Sequence, residues 1–161
     1  MSTANGLKQL AELRQHREKR ALDLVIAENE RCRLAEQRVV AAAAAAAKHV
    51  AAAKQRERRL LDSLVGHIVG QSAVVTMQLR IDRLALETAH LMSDVSRAEA
   101  ELEKQRKVYA AAQEDFRVHQ KASAKLTLLL KQQDKQQLFR DMTLAEVEDE
   151  DRGVVSAKRA G

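Results

Sequence analysis

The side chains of this chain that could carry out chemistry are few and scattered. The histidines are His16, His49, His67, His90 and His119. No two stand at i, i+4, the spacing by which one helix face offers two imidazoles to a metal. His67 and His119 fall where a turn and an apolar stripe are expected, which are structural positions. Cys32 has no second thiol to pair with, so no internal disulfide forms, as suits a reducing compartment. The carboxylates of Glu146, Glu148, Asp149, Glu150 and Asp151 crowd together but lack the ligand spacing and central glycine of a calcium loop. They read as a solvated helix end. No glycine-rich phosphate loop is present. The expectation is a protein with no catalytic residues, no metal and no cofactor, and not an enzyme.

The chemistry that remains is that of ion pairing and apolar contact, and the elements that position it are helices. Gly66 and Gly70 are the only glycines between Gly6 and Gly153, and there is no proline. Glycine tolerates positive φ and commonly closes a helix just past its last turn. The stretch Val65-Gly66-His67-Ile68-Val69-Gly70-Gln71 therefore predicts a sharp reversal between two long helices. Composition agrees. Hydrophobic residues make up 45% but much of that is alanine, and aromatics are 2%. Large side chains supply most core burial, so a wide core is hard to build, whereas a thin seam between helices needs few of them. The predicted fold is all-α: two long helices in an antiparallel coiled-coil hairpin forming a single domain. Helix 1 spans about 5–65, the turn about 66–71 and helix 2 about 72–150, with a frayed tail over 151–161.

Ser2, Thr3 and Asn5 offer N-cap oxygens for helix 1. Its apolar stripe reads Leu10, Leu13, (Arg17), Ala21, Leu24, (Glu28), Cys32, Ala35, Val39, Ala43, Ala46, Val50, an 11-residue repeat. The run Ala41–Ala47 has two readings: a rigid spacer of high helix propensity, or a zone where another helix comes close. Residues 54–62, Lys-Gln-Arg-Glu-Arg-Arg-Leu-Leu-Asp, also have two: cations suited to a helix C-terminus, or a positive tip that meets an acidic partner.

Helix 2 carries a sustained heptad. Its a positions are Val74, Ile81, Thr88, Val95, Leu102, Tyr109, Phe116, Ser123 and Leu130. Its d positions are Met77, Leu84, Leu91, Ala98, Gln105, Ala112, His119 and Leu126. If the fold centres near residue 68, position i faces about 136 − i. Residues beyond about 132 then have no partner in helix 1 and form an overhang with Leu138, Met142 and Leu144 or Ala145 on one face. At ~1.5 Å rise per residue, helix 1 is roughly 90 Å long and helix 2 roughly 110 Å.

The net charge is +5 with a pI near 9.6. Residues 1–62 hold 13 Lys/Arg against 8 Asp/Glu, and residues 146–161 hold 3 against 5. Such an interleaved, modest excess describes a solvated helix surface better than a nucleic-acid footprint. No apolar signal segment opens the chain. The longest apolar run, Val39 to Ala47, is far short of the ~20 residues that span a bilayer. No nucleic acid and no direct membrane insertion are expected.

The chain resembles the stalk proteins of type III secretion, the flagellar FliJ and injectisome YscO (SctO) group. The resemblance rests on the size and the basic first helix, Leu7-Lys-Gln-Leu-Ala-Glu-Leu-Arg-Gln-His-Arg-Glu-Lys-Arg20. It rests also on the reversal before mid-chain and on a second helix that outruns the first. A further match is the segment Lys121-Ala-Ser-Ala-Lys125-Leu-Thr-Leu-Leu-Leu130-Lys-Gln-Gln-Asp, which runs toward an acidic end at Glu146–Asp151. The resemblance implies a cytoplasmic, non-enzymatic adaptor of a virulence-type secretion apparatus, peripheral to the inner membrane. The end bearing both termini would enter the hexameric secretion ATPase and promote its assembly or activity. The tip would reach the export-gate membrane protein, and some members also bind secretion chaperones. By position, the ATPase end falls on Lys8, Arg14, Arg17, Lys19 and Arg20 with Lys131, Lys135, Leu138 and Met142. The gate end falls on Leu64, His67, Ile68, Val69 and Val74.

The alternative is a coiled-coil chaperone or scaffold that binds secretion chaperones or clamps unfolded clients. Such holdases usually trimerise through a separate body, which this chain lacks. A stator stalk is normally a parallel pair of chains, often membrane-anchored. A basic nucleic-acid binder would show binding that falls steeply with salt.

Overall fold

The computed structural model describes residues 2–161 and consists of two helices, α1 (Ser2–Asp62) and α2 (Gln71–Arg159), joined by the turn 63–70. The helices pack against each other antiparallel, as the hairpin expectation requires. Tertiary packing groups the chain into two units. One is Leu24–Ala112, which contains the turn. The other is formed by the two ends of the chain, up to Asp23 and from Gln113 to Gly161.

On α2 the heptad is realised residue by residue. Every a and d position from Met77 to Leu130 is buried or half-buried, and Val74 alone of the series is exposed. The phase extends one step further, to the half-buried Gln133.

On α1 the inward stripe differs from the 11-residue reading. One stripe of buried or half-buried positions runs Ala4, Leu7, Ala11, Arg14, Glu18, Ala21, Val25, Glu28, Cys32, Ala35, Val39, Ala42, Ala46, His49, Ala53, with Val50 and Ala52 half-buried beside it. That is a strict 3-4 alternation, the same heptad as α2. Leu10, Leu13 and Leu24 are 38%, 45% and 46% exposed, and Arg17 and Ala43 face solvent. The two readings coincide at Ala21, Glu28, Cys32, Ala35, Val39 and Ala46, the expected Val50 is half-buried as well, and they separate most toward the start of the helix. A helix with period 3.5 can keep one face against a heptad partner, and one with period 3.67 drifts off it. α2 therefore imposes its period on α1, although α1 places its largest side chains elsewhere.

The resulting core is narrow. Its buried apolar members are Ala21, Cys32, Ala35, Ala46, Leu102, Ala112 and Leu126, four of them alanines. Small residues on α1 and larger ones on α2 make a close, thin seam. In the unit made of the chain ends, the Arg14 guanidinium donates from Nη1 to the Ala122 carbonyl at 3.0 Å. In the other unit His49 Nε2 lies 3.9 Å from Glu87 Oε2. Both pairs fall on the register of residue i opposite about 136 − i.

Leu126 is 3% exposed and is the best-buried large apolar side chain among the described residues. Leu126→Ala is expected to cost about 3 kcal/mol through lost transfer energy and a cavity. Leu10→Ala, on an exposed leucine, is expected to cost under about 1 kcal/mol. Paired thermal melts followed by circular dichroism check both; equal costs would contradict the heptad face assigned to α1.

The end of α2 differs from the expected frayed tail. The helix passes through Gly153 to Arg159. Glycine ends a helix by turning to positive φ, and among the described residues Gly66 is the only glycine that does so. Gly153 stays in the helix at a propensity cost of about 1 kcal/mol relative to alanine, and Lys158 and Arg159 in the last turn suit the helix dipole.

Candidate functional sites at the chain ends and the turn

The unit formed by the chain ends places its basic residues on three different faces. Arg14 is half-buried in the seam and spends a donor on Ala122. Arg17 and Arg20 continue a 3-4 stripe begun by Leu10 and Leu13, all exposed along one flank of α1. Lys8 and Lys19 are exposed on the opposite flank. Helical spacing thus separates a cluster that is contiguous in sequence, and the five residues do not form one patch.

On α2 the expected residues do come together. Lys131, Lys135, Leu138 and Met142 are spaced 4-3-4 and share one face. Leu138 and Met142 are 62% and 57% exposed. Phe139 lies beside them, 73% exposed. It is an exposed aromatic beside the expected residues that the sequence reading left out, although an aromatic in an otherwise aromatic-poor chain was the available signal. From Asp134 to Gly161 every residue is exposed, as the overhang expectation has it. This stretch is held by helix propensity and by local bonds such as Gln137 Nε2 to Asp141 Oδ1 at 3.2 Å and Thr143 Oγ1 to the Phe139 carbonyl at 2.9 Å. A solvated single helix is marginal on its own and gains stability by packing its apolar stripe.

The turn belongs to the unit Leu24–Ala112. α1 closes with Ser63 N donating to Arg59 O at 3.0 Å and Leu64 N donating to Leu61 O at 3.1 Å. His67 N donates to Leu64 O at 3.4 Å across a four-residue turn. Gly66, third in that turn, has φ +81°, which a side chain disfavours. Gly70 has no positive φ. Its carbonyl accepts from Ala73 N at 3.1 Å and Val74 N at 3.3 Å, so it caps the start of α2. The two glycines therefore have different tasks. Gly66→Ala is expected to cost about 1 kcal/mol. Nothing lies within 4 Å of an added Cβ, so the penalty is conformational. Gly70→Ala is expected to cost less, at roughly 0.5 kcal/mol. Urea titrations of the two variants check the order.

Of the residues expected at the gate end, Ile68 is fully exposed, His67 and Val74 are exposed, and Leu64 and Val69 are half-buried. His67 Nδ1 lies 3.2 Å from the Val65 carbonyl. Val65, 74% exposed, joins Ile68 as an uncovered aliphatic side chain in the turn; the sequence reading did not single it out. Behind the turn, Arg56 and Arg59 of α1 and Arg80 and Arg83 of α2 line one groove with Leu60, Ser63 and Leu84.

The electrostatics elsewhere are those of a solvated helix pair. The hydrogen bond and charge of Glu30 raise the pKa of Arg33 above its ordinary value, on a fully exposed flank. Among the described residues no group of three or more His, Cys, Asp or Glu could hold a metal ion. Among the same residues no helix is long and apolar enough to cross a membrane.

No family model matches the chain, and no curated protein matches it. A solved structure does: the crystal structure of type III secretion protein YscO from Vibrio parahaemolyticus. The two align with a TM-score of 0.82 at 20% sequence identity, over 93% of this chain and 94% of that one. The likeness is one of fold, extends over nearly the whole chain, and is to a protein of the group the sequence resembles.

Proposed function

We propose that this protein is a non-enzymatic stalk of a type III secretion apparatus. It inserts the end bearing both termini into the hexameric secretion ATPase, promotes ring assembly or turnover, and links the ring to the export gate through its turn. The observation that carries the reading is the overhang of α2. It is an uncovered helix with Lys131, Lys135, Leu138, Phe139 and Met142 on one side, and from Asp134 onward no residue of it is buried against α1. The fold likeness to a type III secretion protein supports it. A helix of this kind fits the inside of a ring, where an apolar stripe gains cover and lysines meet acidic walls. The apparatus lies against the inner membrane, and the stalk works on its cytoplasmic side. Binding of secretion chaperones would use the remaining exposed flank of α1.

The test is titration of the purified chain into the secretion ATPase of the same system, following ATP turnover and ring assembly. Saturable stimulation near one chain per ring is the expected result. A folded chain that neither binds nor stimulates overturns the reading in favour of a chaperone or scaffold. For the gate end, Val65→Asp with Ile68→Asp is expected to abolish binding to the gate's cytoplasmic domain while leaving the melt unchanged, since both side chains are exposed.

A further inference from the structure

The groove behind the turn holds four arginines that the fold brings together from two helices. Arg56 and Arg59 are three apart on α1, and Arg80 and Arg83 are three apart on α2. The antiparallel course of the helices brings both pairs to the lining of one groove. The groove has a volume of about 560 Å³, and its carboxylate is that of Glu87, which lies 3.9 Å from His49. Among the described residues none of the four guanidiniums has a carboxylate partner. Arg56 occupies a d position of the α1 heptad and is nonetheless exposed. It stands between the half-buried Ala53 and Leu60. Like charges grouped in this way oppose folding, and Glu87 is the one carboxylate among the residues that line the groove.

We propose that this groove is the docking site for an acidic helical segment of a partner protein, one with carboxylates paired at i, i+3 or i, i+4. The spacing carries the argument. Three residues of helix rise ~4.5 Å, so Arg56/Arg59 and Arg80/Arg83 present two matched pairs of forks at the distance at which acids repeat along a helix face. Guanidinium takes carboxylate in two parallel hydrogen bonds, an interaction stronger and more directional than an ammonium contact. Leu60 and Leu84 give the segment apolar contact between the charges. The arginines line a recess between two helices, which suits an entering helix better than a flat lipid surface. The proposal shares with the stalk reading only that the turn end meets another protein, and its test contains no secretion component, so either can fail alone.

The probe is a fluorescein-labelled peptide of about fourteen residues, ~20 Å of helix, built on alanine and glutamine with glutamates paired at i, i+4. Its control carries glutamine at those positions. Anisotropy with the full chain is expected to show saturable binding of the acidic peptide only, weakening as salt rises. Arg59→Gln with Arg80→Gln is expected to weaken it at least tenfold, whereas Arg33→Gln with Arg117→Gln, both outside the groove, leaves it within twofold. Circular dichroism confirms that each variant is folded. The proposal is overturned if the two peptides bind alike, if both pairs of variants lose binding equally, or if the groove variants keep full affinity. It is likewise overturned if vesicles of phosphatidylglycerol and phosphatidylcholine, or a single-stranded DNA, bind the groove in preference to the peptide.

Discussion

Gln105→Leu is expected to destabilise the protein by about 2 kcal/mol and Glu28→Ala by about 3 kcal/mol, although neither removes a large apolar side chain. Glu28 is 3% exposed at a seam position of α1. One carboxylate oxygen accepts from Arg31 Nη1 at 2.6 Å, and the other accepts from the Gln105 amide across the seam. Replacing Gln105 by leucine strands an oxygen in an apolar surround, where nothing replaces the lost hydrogen bond. Replacing Glu28 by alanine leaves the half-buried Gln105 amide without its acceptor and opens space beside Cys32 and Ala35.

The double variant Glu28→Leu with Gln105→Leu is expected to be at least as stable as the parent, because well-packed apolar residues often outperform a buried charged pair. Its loss is specificity. A polar pair at facing seam positions makes one register cheaper than its neighbours. Without it, the alanine-rich stretch of α1 accepts slipped or intermolecular pairings. Urea titration measures the stabilities, and sedimentation measures the mixture of states expected of the double variant. If Gln105→Leu costs under about 0.5 kcal/mol, the carboxylate is not sequestered as described.

A chain ending at Gln133 is expected to melt within about 2 °C of the full chain and to lose stimulation of the secretion ATPase at least tenfold. Residues 134–161 are exposed throughout, so their removal uncovers no core and deletes no seam contact. Their helix is stabilised mainly by local terms, which contribute little to the cooperative unfolding of the hairpin. The same residues carry Leu138, Phe139 and Met142, the apolar stripe that the stalk reading places against the ring. Leu138→Asp with Met142→Asp in the full chain is the finer version, with the same expected loss and an unchanged melt. A truncated chain that still stimulates fully would place the ATPase contact on α1 or the seam, and a large drop in melting temperature would mean that the overhang folds back.

The two experiments probe different parts of the molecule. The polar pair concerns how the hairpin holds one register, and the overhang concerns what it offers to others. A loss of stimulation in the register variant would have to be separated from a change in oligomeric state, which is why sedimentation accompanies it. The truncation has no such ambiguity, since the seam is intact.

The helices, the reversal and the phase of α2 were legible from residue types alone. α2 repeats large apolar side chains every three and four residues, and only one helix face accommodates that pattern, so its inward positions needed no partner to be identified. The overhang was legible for a similarly simple reason: a short turn near residue 68 makes the register almost arithmetic. α1 was different. Alanine fits any face, and the leucines at positions 10, 13 and 24 offered an apolar stripe that the protein leaves at the surface. Which stripe turns inward depends on the period of the helix it packs against, and that is a property of the pair. The same holds for the sites. Charge near the turn could be read from Lys54–Asp62, but its completion by Arg80 and Arg83 could not. The dispersal of Lys8, Arg14, Arg17, Lys19 and Arg20 over three faces was likewise hidden in a sequence that lists them side by side. Local periodicity determined the elements and their ends. Tertiary packing decided which residues meet, because proximity across a seam depends on phase and register together, and a sequence states only the first of these for the helix whose side chains are large.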